Sequence, residues 1–180
     1  MEIKKALDRY FKALMNVWEK KYGTYPKVPW DAEVDSLLYL SNPDEEGYVY
    51  WKPLEKNKID NFIEIEKELS VNIHDAIKEY FNSYWFLDIQ GFYGTKLVVL
   101  EPVEPNKSIV EFIQIMKRYE ESEGREFRYI QIGFVSPEDR AIIFDNETGE
   151  VLIENFETEE KEFLSNSLVE LISNLKMEQR

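Results

Sequence analysis

The spacing of apolar residues changes period along this chain, and that limits the fold more than any other feature. From Glu2 to Tyr22, residues Ile3, Ala6, Leu7, Tyr10, Phe11, Leu14, Met15 and Trp18 recur at three- and four-residue steps. Such spacing draws one apolar stripe along a helix. Gly23 follows the last turn and Pro26 lies beyond it, the usual chemistry of a helix stop. The stripe is expected to face a core rather than a membrane surface. The same period predicts helices over Asp60–Leu69, Asn72–Phe81 and Ser108–Glu121, and over Glu159–Met177 at the end of the chain. Between them lie short apolar or alternating runs bounded by turn residues, which predict strands at Tyr48–Trp51, Trp85–Ile89, Lys96–Glu101, Phe127–Val135, Ala141–Phe144 and Val151–Glu154. Gln90–Gly94 and Asp145–Glu150 read as hairpin connections. Pro26–Asp35 reads as irregular, Ser36–Leu40 as a short apolar piece and Ser41–Gly47 as a turn.

Helices at both ends and a central set of strands predict an α+β fold, with a mostly antiparallel sheet flanked by helices. A doubly wound parallel sheet would need regular strand–helix alternation, which is absent. A length of 180 residues and a hydrophobic fraction of 43% suit a single domain over residues 1–180 with a real core. Antiparallel hairpins can leave one sheet face open to a partner.

Charge narrows what that partner is. Residues 1–30 hold seven Lys or Arg against three acids, a charge of +4; the whole chain is −14, so residues 31–180 carry −18. A body with that excess repels phosphate and attracts cationic surfaces, over a Debye length of roughly 8 Å at physiological salt. Nucleic acid and anionic lipid are therefore poor partners, and a basic protein surface is a good one. The acidic run Asp31, Glu33 and Asp35 is a candidate contact. No apolar run approaches the roughly 18 residues of a membrane span, so a membrane is expected to matter only through a protein embedded in it. The N-terminal stretch alternates charged and apolar residues and lacks the apolar core of a secretory signal.

Catalytic machinery is sparse. No cysteine is present, which removes disulfides, a thiol nucleophile and cysteine-based zinc sites, and fits a reducing compartment. His74 is the one histidine, with only Ser70 and Asp75 near it in sequence, and reads as a polar residue near a helix start. Carboxylate pairs such as Glu64 and Glu68 are too common here to signal chemistry. Asp44–Gly47 and Asp145–Gly149 lack the full calcium-loop pattern, and neither Gly91 nor Gly94 opens a phosphate-binding helix. No metal, cofactor or catalytic residue is expected. Aromatics gather in the middle third, from Tyr48 and Trp51 to Trp85 and Tyr93. Most are expected in the core, with a few lining a groove beside the acids, where Lys or Arg stems can rest.

The order of segments also resembles a known family. Trp18 on the first helix, the Tyr25-Pro26 turn, Val49-Tyr50-Trp51-Lys52-Pro53, Ile73-His74 followed by Glu79-Tyr80-Phe81, then Asp88, Gly94 and Lys96–Leu100 run in the order found in the Syd family of SecY-interacting proteins, within the SUKH superfamily. Thr148-Gly149-Glu150-Val151 and Ser165–Ile172 extend the resemblance to the end of the chain. The glycine pair of ordinary SUKH immunity proteins is missing after the second central helix, which favours the Syd branch. The resemblance implies a Syd-like, non-enzymatic protein, cytoplasmic and peripheral at the cytosolic face of the plasma membrane. It implies an acidic concave surface docking on basic cytosolic loops of the SecY channel, with the matched Trp51 and Asp88 in the contact. The superfamily also contains immunity proteins that neutralise polymorphic toxins, many of them nucleases. A basic toxin is accordingly the alternative partner, and an acidic-cleft hydrolase is a third reading.

Overall fold

Six strands follow one another as antiparallel neighbours and form the sheet on which everything else rests. In a computed structural model describing residues 1–138 and 140–178, β5 (Ile89–Tyr93), β6 (Lys96–Leu100), β7 (Tyr129–Ser136), β8 (Arg140–Asp145), β9 (Val151–Glu154) and β10 (Lys161–Ser165) stand side by side in chain order. Four shorter strands make two small pairs outside this sheet. β1 (Lys27–Pro29) pairs with β2 (Tyr48–Tyr50), and β3 (Leu54–Glu55) with β4 (Tyr84–Trp85), all antiparallel. The helices among the described residues are α1 (Glu2–Tyr22), α2 (Phe62–Leu69), α3 (Asp75–Ser83), α4 (Ile109–Ser122) and α5 (Leu168–Asn174). The fold is α+β with an antiparallel sheet, as the periodicities require.

Side-chain caps set the starts of α2, α4 and α5. Asn61, Ser108 and Ser167 accept hydrogen bonds from the backbone N–H groups of Glu64, Glu111 and Glu170, and each orphan donor so paired stabilises the first turn by about 1 kcal/mol. Helix α1 ends at Gly23, whose left-handed φ of 66° favours a residue without a Cβ. Its first half buries Ile3, Leu7 and Phe11 against α3 and α5. Phe11 meets Phe86 at 5.4 Å, and Phe86 meets Tyr80 at 5.4 Å edge-on, so aromatic packing ties α1, α3 and the segment before β5 into one core. Sheet residues Ile130, Ile132, Ile142 and Phe144 complete that core. At Gly133, where the β7–β8 register shifts, an added Cβ would stand 2.1 Å from the carbonyl oxygen of Val99.

Three expectations need correction. The closing helix does not begin at Glu159: Lys161–Ser165 is the edge strand β10, and α5 starts at Leu168. A register shift between Phe163 and Ser165 leaves Leu164 and Ser165 both buried, so the strand loses its two-residue period and its apolar spacing mimics a helix. Trp85–Ile89 is not one strand. Tyr84–Trp85 pairs with Leu54–Glu55, whereas Ile89–Tyr93 pairs with β6, so the hairpin turn falls after Tyr93 rather than over Gln90–Gly94. The stretch read as irregular contains β1, and the apolar piece after it is a 3-10 turn, Ser36–Leu38.

Candidate functional site

Three segments distant in sequence bring carboxylates to one place. The first is the loop carrying Asp31, Glu33 and Asp35. Asp31 Oδ1 accepts from the Glu33 N–H at 2.8 Å, and Asp35 Oδ1 accepts from the Leu37 N–H at 2.8 Å, capping the 3-10 turn. These local bonds fold the loop tightly and use one oxygen of each aspartate. The Tyr39 hydroxyl donates to the Asp31 carbonyl at 3.2 Å, and Asn106 donates to the Glu33 carbonyl at 2.6 Å, which moors the loop to the segment after β6.

The second and third segments are 86–88 and 101–107. Phe86 and Val103 exchange backbone hydrogen bonds of 2.8 and 2.9 Å, in the same register that pairs Ile89 with Leu100. That register sets Asp88 opposite Glu101. Three residues on, the chain reaches Glu104, which is only 8% exposed. Like charges facing each other across a ladder are mutually unfavourable. Burial is the chief cause pushing up the carboxyls of Asp88, Glu101 and Glu104; the Asp88 charge adds to the shift of Glu101, and those of Asp31, Asp88 and Asp35 to that of Glu104, against the opposing influence of Lys107. Among the described residues, these three are the carboxyls held above their ordinary range. Asp88 is exposed to solvent, and surrounding atoms still push its carboxyl up by burial.

Most of the buried or half-buried acids elsewhere have a cation beside them. Asp145 pairs with Arg128 at 2.7 Å, Glu120 with Arg125 at 3.0 Å, Glu154 with Lys161 at 2.7 Å and Glu66 with Lys78 at 2.9 Å. In contrast, among the described residues Asp31, Glu33, Asp35, Asp88, Glu101 and Glu104 take part in no ion pair. The Glu104 Oε2 atom is shielded from solvent and has no hydrogen-bond partner. An unpaired carboxylate as buried as Glu104 is costly to the free protein, and a cation from outside relieves that cost.

The other predicted site residues divide. Asp88 and the aspartates of the acidic run share this cluster, and Glu33 lies on the same loop. Trp51 does not reach a partner surface: it is 3% exposed, its N–H bonds to the Pro26 carbonyl at 3.0 Å, and it bridges to Tyr39 in an antiparallel contact. That bridge ties its backbone to Tyr39, whose hydroxyl bonds to Asp31. His74 caps α3 through Nδ1, which accepts from the Ala76 N–H at 3.1 Å, while its ring edge meets Phe144 and its own N–H bonds to Asn146. Glu101 and Glu104 escaped the sequence reading. The signal available was Glu101-Pro102-Val103-Glu104-Pro105, two acids set among prolines directly after an apolar strand. Among the described residues, no group of three or more His, Asp or Glu side chains is arranged to hold a metal ion, and no helix is long and apolar enough to cross a membrane.

Comparison with known proteins places the arrangement in context. Residues 4–103 match the family described as Syd protein (SUKH-2), a span that takes in the acidic loop, Asp88 and Glu101. A Protein Syd of Idiomarina loihiensis is 28% identical over 182 residues, covering 94% of this chain and 93% of that protein. A Protein Syd of Hahella chejuensis is 27% identical over 83% of this chain and 81% of its own length, and one of Pseudoalteromonas atlantica is 21% identical over 87% and 86%.

Proposed function

The chain belongs to the Syd family (SUKH-2), and from that premise we propose that it is a docking protein whose acidic cluster receives basic cytosolic loops of the SecY translocation channel. The observation that carries the reading is the unpaired carboxylate group of Asp31, Asp35, Asp88, Glu101 and Glu104, drawn together by the 86–103 pairing and the Asn106 tether. The free protein holds these charges without partners, so Lys and Arg of a docked loop gain attraction without first breaking native ion pairs. The action is binding, with no bond made or broken. Association occurs at the membrane through the channel protein, and the chain is peripheral to it. The matched family and relatives are Syd proteins, which favours the channel over a toxin as the partner.

The test is titration of detergent-solubilised SecY complex with the protein at low ionic strength. Saturable binding that weakens when Asp31, Glu33 and Asp35 are all changed to Lys, with the far-ultraviolet circular dichroism unchanged, is the expected outcome. Absence of saturable binding at low salt refutes the reading.

A further inference from the structure

A cavity of about 290 Å³ opens beside the acidic cluster, and the two share Glu101 and Glu104. Its walls are Phe81 of α3, Trp85 of β4 and Ile109, Phe112 and Ile115 of α4. Ile115 is 58% exposed although it lines an apolar hollow. The size lies near the lower bound of about 300 Å³ for small-molecule pockets, which suits one large side chain better than a cofactor.

The charges lining the cavity are unequally paired. Lys56 has a side chain only 1% exposed, and it is engaged by Asp60. Its ammonium sits 2.9 Å from Asp60, 2.9 Å from the Phe81 carbonyl and 3.6 Å from the centre of the Trp85 ring. Glu104 lines the same cavity, and the Oε2 of its carboxylate is shielded from solvent and has no partner. Glu101 and Glu111 add negative charge, and Lys107 lines the same wall without forming an ion pair among the described residues. The cavity therefore combines an engaged cation, an anion without an ion pair and apolar walls.

We propose that this cavity takes an apolar side chain of the docked polypeptide while the adjacent Arg or Lys of that polypeptide engages Glu104. The assignment rests on the docking reading for the source of the peptide and deepens it: the site selects a basic residue next to a large apolar one, rather than positive charge alone. Two requirements met together reject both a purely basic segment, which leaves the hollow wet, and a purely apolar one, which leaves Glu104 unpaired. Lys107 is the native competitor for Glu104, so its removal strengthens binding.

Nuclear magnetic resonance titration of the full chain with three blocked dipeptides tests the pairing: acetyl-Leu-Arg-amide, acetyl-Leu-citrulline-amide and acetyl-Gly-Arg-amide. The first is expected to give saturable shifts confined to Trp85, Glu104, Phe112, Ile115 and their neighbours. Loss of the charge in the second and of the apolar side chain in the third should each weaken binding by about tenfold. Glu104→Gln should abolish the preference for Arg over citrulline, and the exposed change Ile115→Ser the preference for Leu over Gly. Equal shifts with all three dipeptides, shifts scattered over the acidic surface, or unchanged preferences in both variants overturn the assignment. If SecY complex binds while the dipeptides show no preference, docking stands and the cavity plays no part in it. If the dipeptides behave as expected and SecY complex fails to bind, the cavity stands and the proposed partner falls.

Discussion

Replacing Glu104 by Leu should make the free protein more stable and the docked complex weaker. In the free protein the residue is 8% exposed, its Oε2 lacks a partner, and Asp31, Asp35 and Asp88 repel it. Leaving a buried polar atom unsatisfied costs about 1–3 kcal/mol. Lys107 offsets part of that cost, and the lower half of the range, about 1–2 kcal/mol, is the appropriate figure. A Leu of similar volume removes the cost and adds apolar burial beside Phe112 and Ile109. For a chain of this size about 1 kcal/mol moves the melting temperature by roughly 2–4 °C, so a rise of about 2–8 °C is expected. Urea unfolding should show a higher midpoint with an unchanged slope, since the fold and its buried surface are the same. Glu104→Gln, which removes charge but retains amide groups needing partners, should fall between wild type and Glu104→Leu. A lower melting temperature for Glu104→Leu would mean that the carboxylate is already satisfied in the free protein, and the reasoning that it waits for an external cation would be wrong. Native sites that hold binding groups at a cost to stability are the expected exceptions to local consistency.

Two further outcomes follow from the same structure. Because Asp88, Glu101 and Glu104 titrate above their ordinary range, the folded state binds protons there more readily than the unfolded chain, and stability must rise as pH falls from neutrality toward about 5. Below about pH 4 the order reverses, since Asp44 and Glu162, held low chiefly by Lys27 and Arg140, lose charges that the fold favours. A melting temperature that declines monotonically from pH 7.5 to pH 5 contradicts this. Trp51→Ala should destabilise the chain by about 3–5 kcal/mol, the range for a buried aromatic truncated to Ala, and the milder Trp51→Phe should remain folded yet loosen the loop behind Tyr39. Amide exchange of Asp31 to Leu37 reads that loosening; protection equal to wild type in Trp51→Phe removes Trp51 from any role in holding the acidic loop.

Periodicity carried most of the architecture because each long helix buries one face against the same core. The stripe of α1 and the faces of α2 and α3 lie where the spacing puts them, whereas on α4 Tyr119, expected inward, is exposed and Glu120 is buried. Strand β10 was illegible for a physical reason: its bulge places Leu164 and Ser165 inward in succession, and Leu164, Leu168 and Leu171 then fall at helical intervals. Strand β1 was too short and too proline-bound to show alternation. At the site, composition marked the acidic run, and the family resemblance marked Asp88. Nothing local could tell Trp51 in the core from Trp51 in a groove, because an indole beside charges suits both places equally. Glu104 was invisible for the opposite reason: a glutamate among prolines reads as an exposed turn, and only the Phe86–Val103 pairing turns it inward.

The most direct measurement is the affinity for SecY complex as a function of salt, taken for the wild type and for the triple change of Asp31, Glu33 and Asp35 to Lys. If unpaired carboxylates receive a cationic loop, binding weakens steeply from low to physiological ionic strength, and charge reversal lowers both the affinity and its salt dependence. An affinity indifferent to salt, or one that survives the reversal intact, contradicts the account.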